Sequence, residues 1–387
     1  MPTLSRSGLR STRLADNANL AFGQGFAFQT RGMLPPGRLV TTIRFVLDAI
    51  FTQPAAAAAV QFSEVFQQMI ARVNIGRRIN MTGLGVIMHE WCKTGRVPQA
   101  PGDIEAVLNA AEPKRIEWTI HLTSPRSDDP YAGAVASEHF VEQITGNLAT
   151  NAIFAATAPT LGNATLYCYL DHVAQSVAPG KAKIGWSQTF EDRGFASLTP
   201  EILKPGAYEY AVIYREAAND RGLITDLNLS SVTSRLDGEP LLSNLRGQDA
   251  AELFNQHVAA TGHKYVGGAG LYAEPGDSID NQPSQTAGAG LGAPNMRMVP
   301  LIVAPRDCKV SQLPRANAGI TAELAGTLGA YRIAFGLIEP RSMDSFAKAA
   351  RAVGIQRGRI RPKTLSKGGL PEGTDLAAYL PAVVEEE

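Results

Sequence analysis

The stretch Leu203-Lys204-Pro205-Gly206, with the run Ala207 to Arg215 after it, decides the fold expected of this sequence. It repeats an earlier pattern, in which Leu34-Pro35-Pro36-Gly37 leads into the run Arg38 to Phe51. The two turns begin 203 − 34 = 169 residues apart, and apolar side chains occupy alternate positions after each glycine. A Pro-Gly turn before an alternating run predicts a strand with one buried face. A repeat at this offset predicts two similar β-domains in tandem.

The length and composition fit a chain of many short strands. With 387 residues, the chain can form two domains that each bury a core. Its 37 glycines and 24 prolines indicate many turns, and the formal net charge is zero. Charged residues make up 19%, against roughly 25% in typical soluble domains. This low charge fits either loops rich in small residues or flanks that are buried against neighbouring subunits.

The repeat and the shifts in composition divide the chain into four parts. Residues 1–32 have little periodicity and are interpreted as an N-terminal arm without a core of its own. The first β-domain is expected at 33–200, the second at 201–345, and a C-terminal helix with a charged tail at 346–387. No apolar segment near the start resembles a secretory signal, and no run reaches the roughly 18 residues needed to span a bilayer.

Patterns of period two predict the strands of both domains. The clearest is Ile116 to Leu122, where Ile, Trp, Ile and Leu alternate with polar residues and should face a core. Arg77 to Trp91 is interpreted as a strand with a bend, because Asn80-Met81-Thr82-Gly83 has the composition of a turn. Asp237-Gly238 predicts a tight turn between two strands. Further strands are predicted at Tyr208 to Arg215, Leu223 to Val232, Met296 to Val303, Ile320 to Leu324 and Tyr331 to Ile338.

Helical patterns are fewer. Ser137 to Ala156 has apolar residues at four-residue spacing and is predicted to be a helix. Gln248 to Ala260 is amphipathic, and Ser342 caps a last helix that ends at about Val353. Ser63 to Ile75 fits either a short helix or a loop followed by a strand. Residues 267–294 consist mainly of Gly, Ala, Pro, Ser and Asn, so they predict a long exposed loop.

No pattern for catalysis, cofactor binding or metal binding is found. The glycine-rich stretches in 267–292 have no strand–helix context and no Gly-Lys-Ser/Thr, so flexible loops are favoured over phosphate sites. His257 and His263 lack the spacing of metal ligands, and the acidic pairs in the loops lack the periodic ligands of a calcium site. Cys92, Cys168 and Cys308 are far apart and are expected to be reduced, buried thiols. The three tryptophans fall in strand patterns and are interpreted as core residues rather than sugar-binding platforms.

Basic side chains are concentrated near the C-terminus. Six cations and no acidic residue lie between positions 351 and 367: Arg351, Arg357, Arg359, Arg361, Lys363 and Lys367. Such a segment can bind the phosphates of lipid or nucleic acid, with roughly 1 kcal/mol per charge near a membrane surface. A solvated tail, or one that docks on an acidic neighbour, fits the sequence equally well.

With its paired β-halves, N-terminal arm and low charge, the chain resembles the double jelly-roll major capsid proteins of tailless, membrane-containing icosahedral bacteriophages. The resemblance is one of layout over about residues 34 to 345, carried by Leu39 to Phe51, Met69 to Gly83, Leu203 to Leu242 and Tyr331 to Arg341. It implies an all-β fold of two tandem eight-stranded jelly-roll sandwiches with a few short helices. It also implies trimers of pseudo-hexagonal outline with termini toward the membrane. The long basic segment after the last strand departs from this layout.

The resemblance implies a structural, non-enzymatic role in a shell around an internal membrane. The implied partners are other copies of the chain, penton and minor capsid proteins, and membrane lipids, without sequence-specific nucleic acid. The chain would be made in the host cytoplasm and located in the virion capsid. The side chains expected to face the membrane or partners are Arg6, Arg10, Arg13 and the six cations of the tail. The alternatives are a jelly-roll carbohydrate-active enzyme or lectin, and a non-viral shell or surface-layer protein.

Overall fold

The computed structural model of the chain is built mainly from β-strands. It describes residues 9–52, 59–61, 66–73, 77–94, 105–107, 112–124, 133–137, 143–150, 160–174, 186–215, 224, 228–247, 249–250, 253, 298–302, 304–305 and 308–340. A helix, α1, covers Gly83–Thr94. The strands of the first half are β1 (Arg10–Arg13), β2 (Asn17–Leu20), β3 (Gly25–Phe28), β4 (Arg38–Thr52), β5 (Ala59–Gln61), β6 (Phe66–Val73), β7 (Arg77–Met81), β8 (Glu105–Val107), β9 (Glu112–His121), β10 (Val135–Ala136), β11 (Ile144–Leu148), β12 (Thr160–Ala174) and β13 (Trp186–Phe195). Those of the second half are β14 (Glu201–Ile202), β15 (Gly206–Tyr214), β16 (Ser231–Leu236), β17 (Glu239–Leu245), β18 (Met298–Ile302), β19 (Arg315–Ala316), β20 (Ile320–Ala325) and β21 (Tyr331–Pro340).

The first sandwich packs a six-stranded sheet against part of a larger sheet. In the six-stranded sheet, β4 pairs with β12 on one side and with β9 and β10 on the other, and β1 and β2 pair with β12. The opposite layer contains β7, β6, β11 and β3. The Phe45 ring lies between the two layers, with its centroid 6.3 Å from that of Phe26 and 6.2 Å from that of Phe28. Trp118 on β9 is 1% exposed, so the predicted core face of Ile116 to Leu122 is confirmed.

A nine-stranded sheet continues from the first half into the second. Its order is β18-β15-β21-β13-β7-β6-β11-β3, and β19 also pairs with β15. Strand β13 is antiparallel to β21 along its whole length and parallel to β7 over Thr189–Glu191. The four-stranded sheet β14-β20-β16-β17 forms the other layer of the second sandwich, and Ser234 Oγ on β16 donates to the Leu301 carbonyl on β18 at 2.7 Å. The two sandwiches are therefore joined by backbone hydrogen bonds.

The two Pro-Gly turns do precede strands, but the strands differ in burial. Both glycines have positive φ, +73° at Gly37 and +147° at Gly206, which favours glycine at each turn. In β4 the predicted face with Ile43, Phe45 and Leu47 is buried, and Val46 on the opposite face is buried as well. The prediction of one buried face is wrong for β15, because this strand lies inside the nine-stranded sheet with α1 on one side. The turn at Asp237-Gly238 is confirmed, with φ values of +50° and +89° that match a type I′ hairpin turn.

Two predicted elements have the wrong type. The strand predicted at Arg77 to Trp91 ends at Met81, and the rest is α1. The helix predicted at Ser137 to Ala156 is wrong in its described part, because Ile144–Leu148 is β11 between β6 and β3. Apolar residues four apart share one face of a helix, but four is an even number, so they share one face of a strand as well.

Other differences concern boundaries. Residues 10–28, predicted to belong to an arm without a core, form three strands that pair with β12 and β11, and Phe26 and Phe28 are buried. The predicted strand Leu223 to Val232 overlaps only the start of β16. The other strands predicted for the second half are confirmed within a few residues. The helices predicted at Gln248 to Ala260 and after Ser342, and the loop at 267–294, lie wholly or largely outside the described residues.

The described residues also bear on the cysteines and on membrane insertion. All three cysteines are free; Cys92 and Cys168 are buried and Cys308 is half-buried. Burial, together with the charge of Asp171, raises the pKa of the Cys168 thiol above its usual value. Within the part of the chain that the structure describes, no helix has both the length and the apolar character to cross a bilayer.

Candidate functional site

Helix α1 lies where the two sandwiches meet, and it is buried along most of its length. Thr82 is its N-cap: the Thr82 hydroxyl accepts a hydrogen bond from the Gly85 amide at 3.0 Å, and its carbonyl accepts one from Val86. Positions 85, 89 and 93 are four apart, so they lie on one face of the helix. That face contacts strands of the nine-stranded sheet. We call the following group the α1 junction: Thr82, Gly85, His89, Lys93, Ser124, Asp192, Glu209, Tyr210, Tyr214 and Arg332.

At the N-terminal end of α1, Asp192 on β13 collects several hydrogen bonds. Its Oδ2 accepts from the Thr82 amide and the Thr82 hydroxyl, each at 2.7 Å, and from the Tyr214 hydroxyl at 2.6 Å. Its Oδ1 accepts from Arg332 on β21 at 2.7 Å. A carboxylate at a helix N-terminus also interacts favourably with the helix dipole. A Cβ at position 85 would overlap Asp192 Oδ2, so the close approach requires glycine.

In the middle of α1, a buried histidine meets a buried tyrosine. His89 Nδ1 and the Tyr210 hydroxyl are 2.8 Å apart, and the His89 ring lies 4.4 Å from the ring of Phe190. Burial, followed by the charge of Lys93, holds the pKa of His89 well below its usual value. Burial raises the pKa of Tyr210 well above its usual value, so both groups are uncharged at neutral pH. The Tyr210 ring lies against β21 at Gly336, where a Cβ would collide with it.

At the C-terminal end of α1, a buried ion pair joins the two halves. Lys93 Nζ is 2.7 Å from Glu209 Oε2, and the two side chains are 1% and 0% exposed. Ser124, just after β9, donates to Glu209 Oε1 at 2.6 Å, and Lys93 also donates to the Thr123 carbonyl at 3.3 Å. Lys93 Nζ lies 5.0 Å from the centroid of the Phe190 ring. Glu209 is the extra residue of a β-bulge, because Tyr208 and Tyr210 pair with the adjacent residues Leu337 and Gly336.

The turn at Leu203-Lys204-Pro205-Gly206 is fixed to the same sheet. Lys204 Nζ is 2.7 Å from Glu191 Oε1 on β13, and Arg193 is 3.1 Å from Glu191 Oε2. Burial alone would raise the pKa of Glu191, but the hydrogen bonds and charges of Lys204 and Arg193 outweigh it and lower that pKa. The Tyr208 hydroxyl donates to the Lys204 carbonyl at 2.7 Å. The repeated turn is therefore anchored to β13 at the point where β15 begins.

The geometry of the α1 junction is that of a structural joint. Its polar groups bond to one another across the two halves, and most of them are buried. An open recess of ≈ 300 Å³ lies elsewhere, lined by Asp48, Ala49, Ile50, Pro113, Arg115 and Asn163. In that recess Asp48 is paired with Arg115 at 3.1 Å, and no aromatic side chain lines it. Neither place has the aromatic cleft with acidic residues that a sugar-binding protein would present.

The residues that the sequence predicted to face a membrane or partner are only partly described. Arg10 and Arg13 are exposed on β1, at an edge of the six-stranded sheet. Arg13 is 3.5 Å from Asp16 and lies over the Tyr167 ring. Arg6 and the six cations between positions 351 and 367 lie outside the described residues. The role of these nine side chains stays a prediction.

Sequence reasoning missed the α1 junction. The available signals were the Thr82 N-cap and the four-residue spacing of Gly85, His89 and Lys93. These signals were hidden because α1 is surrounded by protein. A helix that is buried on all sides has no polar face, so its sequence does not alternate between polar and apolar residues with the helical period.

Solved viral structures share this fold. A chain of the Sulfolobus turreted icosahedral virus matches over 90% of this chain and 96% of its own length, with 12% identity and a TM-score of 0.54. The major capsid protein of the same virus matches over 88% and 99%, with 10% identity and a TM-score of 0.53. The capsid of the virus PBCV-1 matches over 85% and 93%, with 11% identity and a TM-score of 0.50. No family model and no curated protein matches the sequence. At such identities the likeness concerns the fold, and the predicted double jelly roll is confirmed.

Proposed function

We propose that the chain is a structural, non-enzymatic capsid protein whose trimers tile an icosahedral shell around an internal membrane. The observation that carries the proposal is the connection of two sandwiches, through the nine-stranded sheet and the α1 junction, in a fold shared with viral capsid proteins. Two sandwiches per chain give six per trimer, so threefold symmetry produces a nearly hexagonal unit. The low content of charged residues in the chain, 19%, supports extensive contacts between copies.

The proposed partners follow from this assembly. Each chain contacts two copies in its trimer and further copies in neighbouring trimers, with penton and minor capsid proteins at the other positions of the shell. The chain is made in the host cytoplasm and resides in the virion capsid. Sequence-specific binding of nucleic acid is not part of this role.

Native mass spectrometry and electron microscopy of the purified full chain test the proposal. A trimer at micromolar concentration and particles of megadalton mass are expected. A chain that stays monomeric under all conditions, and forms no particle when it is expressed in cells with their membranes, would contradict the capsid role.

The membrane-facing part of the proposal rests on the six cations between positions 351 and 367. Their attraction to anionic lipid is screened by salt, because the Debye length is about 8 Å at physiological ionic strength. A chain with all six changed to Gln should trimerise normally but lose salt-sensitive binding to anionic vesicles and give fewer membrane-filled particles. Changing the four arginines to Lys keeps the charge and should keep the binding. Unaltered vesicle binding by the Gln chain, with a normal particle yield, would remove the membrane assignment.

A further inference from the structure

We infer that the Lys93–Glu209 ion pair sets the angle between the two sandwiches and adds little to the net stability of the fold. The pair links α1 in the first half to β15 in the second, with an Nζ–Oε2 distance of 2.7 Å. The inference rests on the proposed capsid function only where it concerns particle shape.

The chemistry of the pair argues against a role in stability alone. Both side chains are almost completely removed from water, at 1% and 0% exposure, and removing two charges from water is costly. Apolar or neutral side chains of similar volume often replace a buried ion pair without loss of stability. The end of the Lys93 side chain already lies near the Phe190 ring, so an uncharged side chain of the same length has a site to occupy. Such a replacement loses the contact that fixes the position of α1 relative to β15.

Directional hydrogen bonds hold both members of the pair. Glu209 Oε2 lies 2.7 Å from Lys93 Nζ, while Glu209 Oε1 accepts a hydrogen bond from Ser124 and Lys93 donates one to the Thr123 carbonyl. These groups come from α1, from the segment after β9, and from the bulge in β15. A sliding movement of one half against the other would lengthen the contacts of Glu209 with Lys93 and with Ser124 together. Apolar contacts would tolerate a small slide.

The position of the pair at one end of α1 makes it effective in limiting the tilt of the helix. A polar anchor at the opposite end of α1 is Thr82 with Asp192, eleven residues before Lys93, and the His89–Tyr210 contact lies between these two end anchors. A helix rises 1.5 Å per residue, so the anchors are about 16 Å apart. With one anchor removed, α1 can pivot about the other, and a slip of about 1 Å at the free end corresponds to roughly 4° of tilt over this length. The backbone connection between β7 and β13 covers only three residue pairs, so it resists such a tilt weakly.

Stability measurements provide the first part of the test. Lys93→Met alone leaves the Glu209 carboxylate buried without its cation, so a large fall in Tm is expected. The double variant Lys93→Met with Glu209→Gln keeps both shapes and the bond to Ser124, and its Tm should return to near that of the unmodified chain. A double variant with as low a Tm as Lys93→Met, or one that does not fold, would show that the pair is needed for stability and would overturn the inference.

A distance measurement provides the second part of the test. Ser11 on β1 and Ser243 on β17 are exposed, one in each half, and can be changed to Cys for spin labels. Cys308 is changed to Ser, while Cys92 and Cys168 are buried. Pulsed electron paramagnetic resonance should give one narrow distance peak in the otherwise unmodified chain and a broad or shifted distribution in the double variant. An unchanged narrow peak in the double variant would overturn the inference.

A matched control removes an ion pair within one half. Asp48→Asn with Arg115→Met takes away an exposed pair of the first sandwich, whose Nη1–Oδ2 distance is 3.1 Å. This control should leave the distance distribution unchanged. In electron microscopy, the Lys93/Glu209 double variant should form irregular particles or sheets, whereas the control forms uniform particles. If the unmodified chain forms no particles at all, the capsid function fails, while the distance measurement still decides the inference.

Discussion

The hydroxyl group of Thr82 is the clearest single point at which to perturb the α1 junction. It accepts a hydrogen bond from the Gly85 amide at 3.0 Å, donates to Asp192 Oδ2 at 2.7 Å, and lies 2.8 Å from the Tyr214 hydroxyl. Loss of an N-cap costs about 1 kcal/mol, and loss of a hydrogen bond to a charged group costs roughly 1.5–3 kcal/mol. Because Asp192 retains its other donors, Thr82→Ala should cost about 3 kcal/mol in total rather than more.

The expected change in Tm follows from the size of the protein. At about 2.1 cal/mol/K per residue, the 387 residues have an unfolding entropy of about 0.8 kcal/mol/K. A loss of about 3 kcal/mol should therefore lower Tm by about 4 °C, as measured by circular dichroism.

Two control variants make this prediction specific. Thr82→Ser keeps the hydroxyl and should have nearly the original Tm. Thr160→Ala removes an exposed hydroxyl whose bond to the Thr52 carbonyl is 3.5 Å long, and it should change stability by less than about 0.5 kcal/mol. If Thr82→Ala melts at the same temperature as Thr82→Ser, the hydroxyl does not hold the junction and the reasoning is refuted.

Three further predictions concern other parts of the fold. Trp118→Ala should cost roughly 3–5 kcal/mol in urea unfolding because it empties a core site, and an unchanged midpoint would contradict its buried position. Gly336→Ala should lower Tm because the added methyl group collides with the Tyr210 ring. Tyr210→Leu should relieve that collision, so Gly336→Ala should lower Tm less in the Tyr210→Leu background. An equal fall in Tm in both backgrounds would argue against the contact. The pKa of Asp237 is lowered by hydrogen bonds from the backbone amides of residues 317–319, so its stabilising effect should be present above the usual pKa of 3.8 and should disappear as the pH falls below it. The Tm difference between the unmodified chain and Asp237→Asn should therefore close in acid, and a difference that stays constant down to pH 2 would exclude this carboxylate as the cause.

The α1 junction explains how the two sandwiches of the chain are held together. Strand β13 contributes both to the sheet and to the polar contacts, because Asp192 and Phe190 lie on it. The contacts at the N-terminal end of α1 include Tyr214 and Arg332 from the second half, and those at its C-terminal end include Glu209. The hydrogen bonds in such a place favour one arrangement over near alternatives, because a buried polar group that loses its partner is costly.

Much of the strand content could be predicted from the sequence because the signal is local. A half-buried strand shows its buried face as alternation, as in Ile116 to Leu122, and a type I′ turn demands the residues found at Asp237-Gly238. The repeated Pro-Gly turn likewise indicated paired β-domains. The same reasoning failed for Ile144–Leu148, since a spacing of four fits one face of a helix and one face of a strand equally.

The sequence by itself determined where most strands lie and that there are two similar halves, because those properties depend on neighbours a few residues apart. Only the tertiary structure decided that β13 joins the halves in one sheet and that α1 is a helix between them. The partners in the α1 junction are far apart in the chain: Thr82 and Asp192 are separated by 110 residues, and Ser124 and Glu209 by 85. A lysine and a glutamate at such positions resemble surface residues in the sequence, and folding alone removes them from water and makes them a pair.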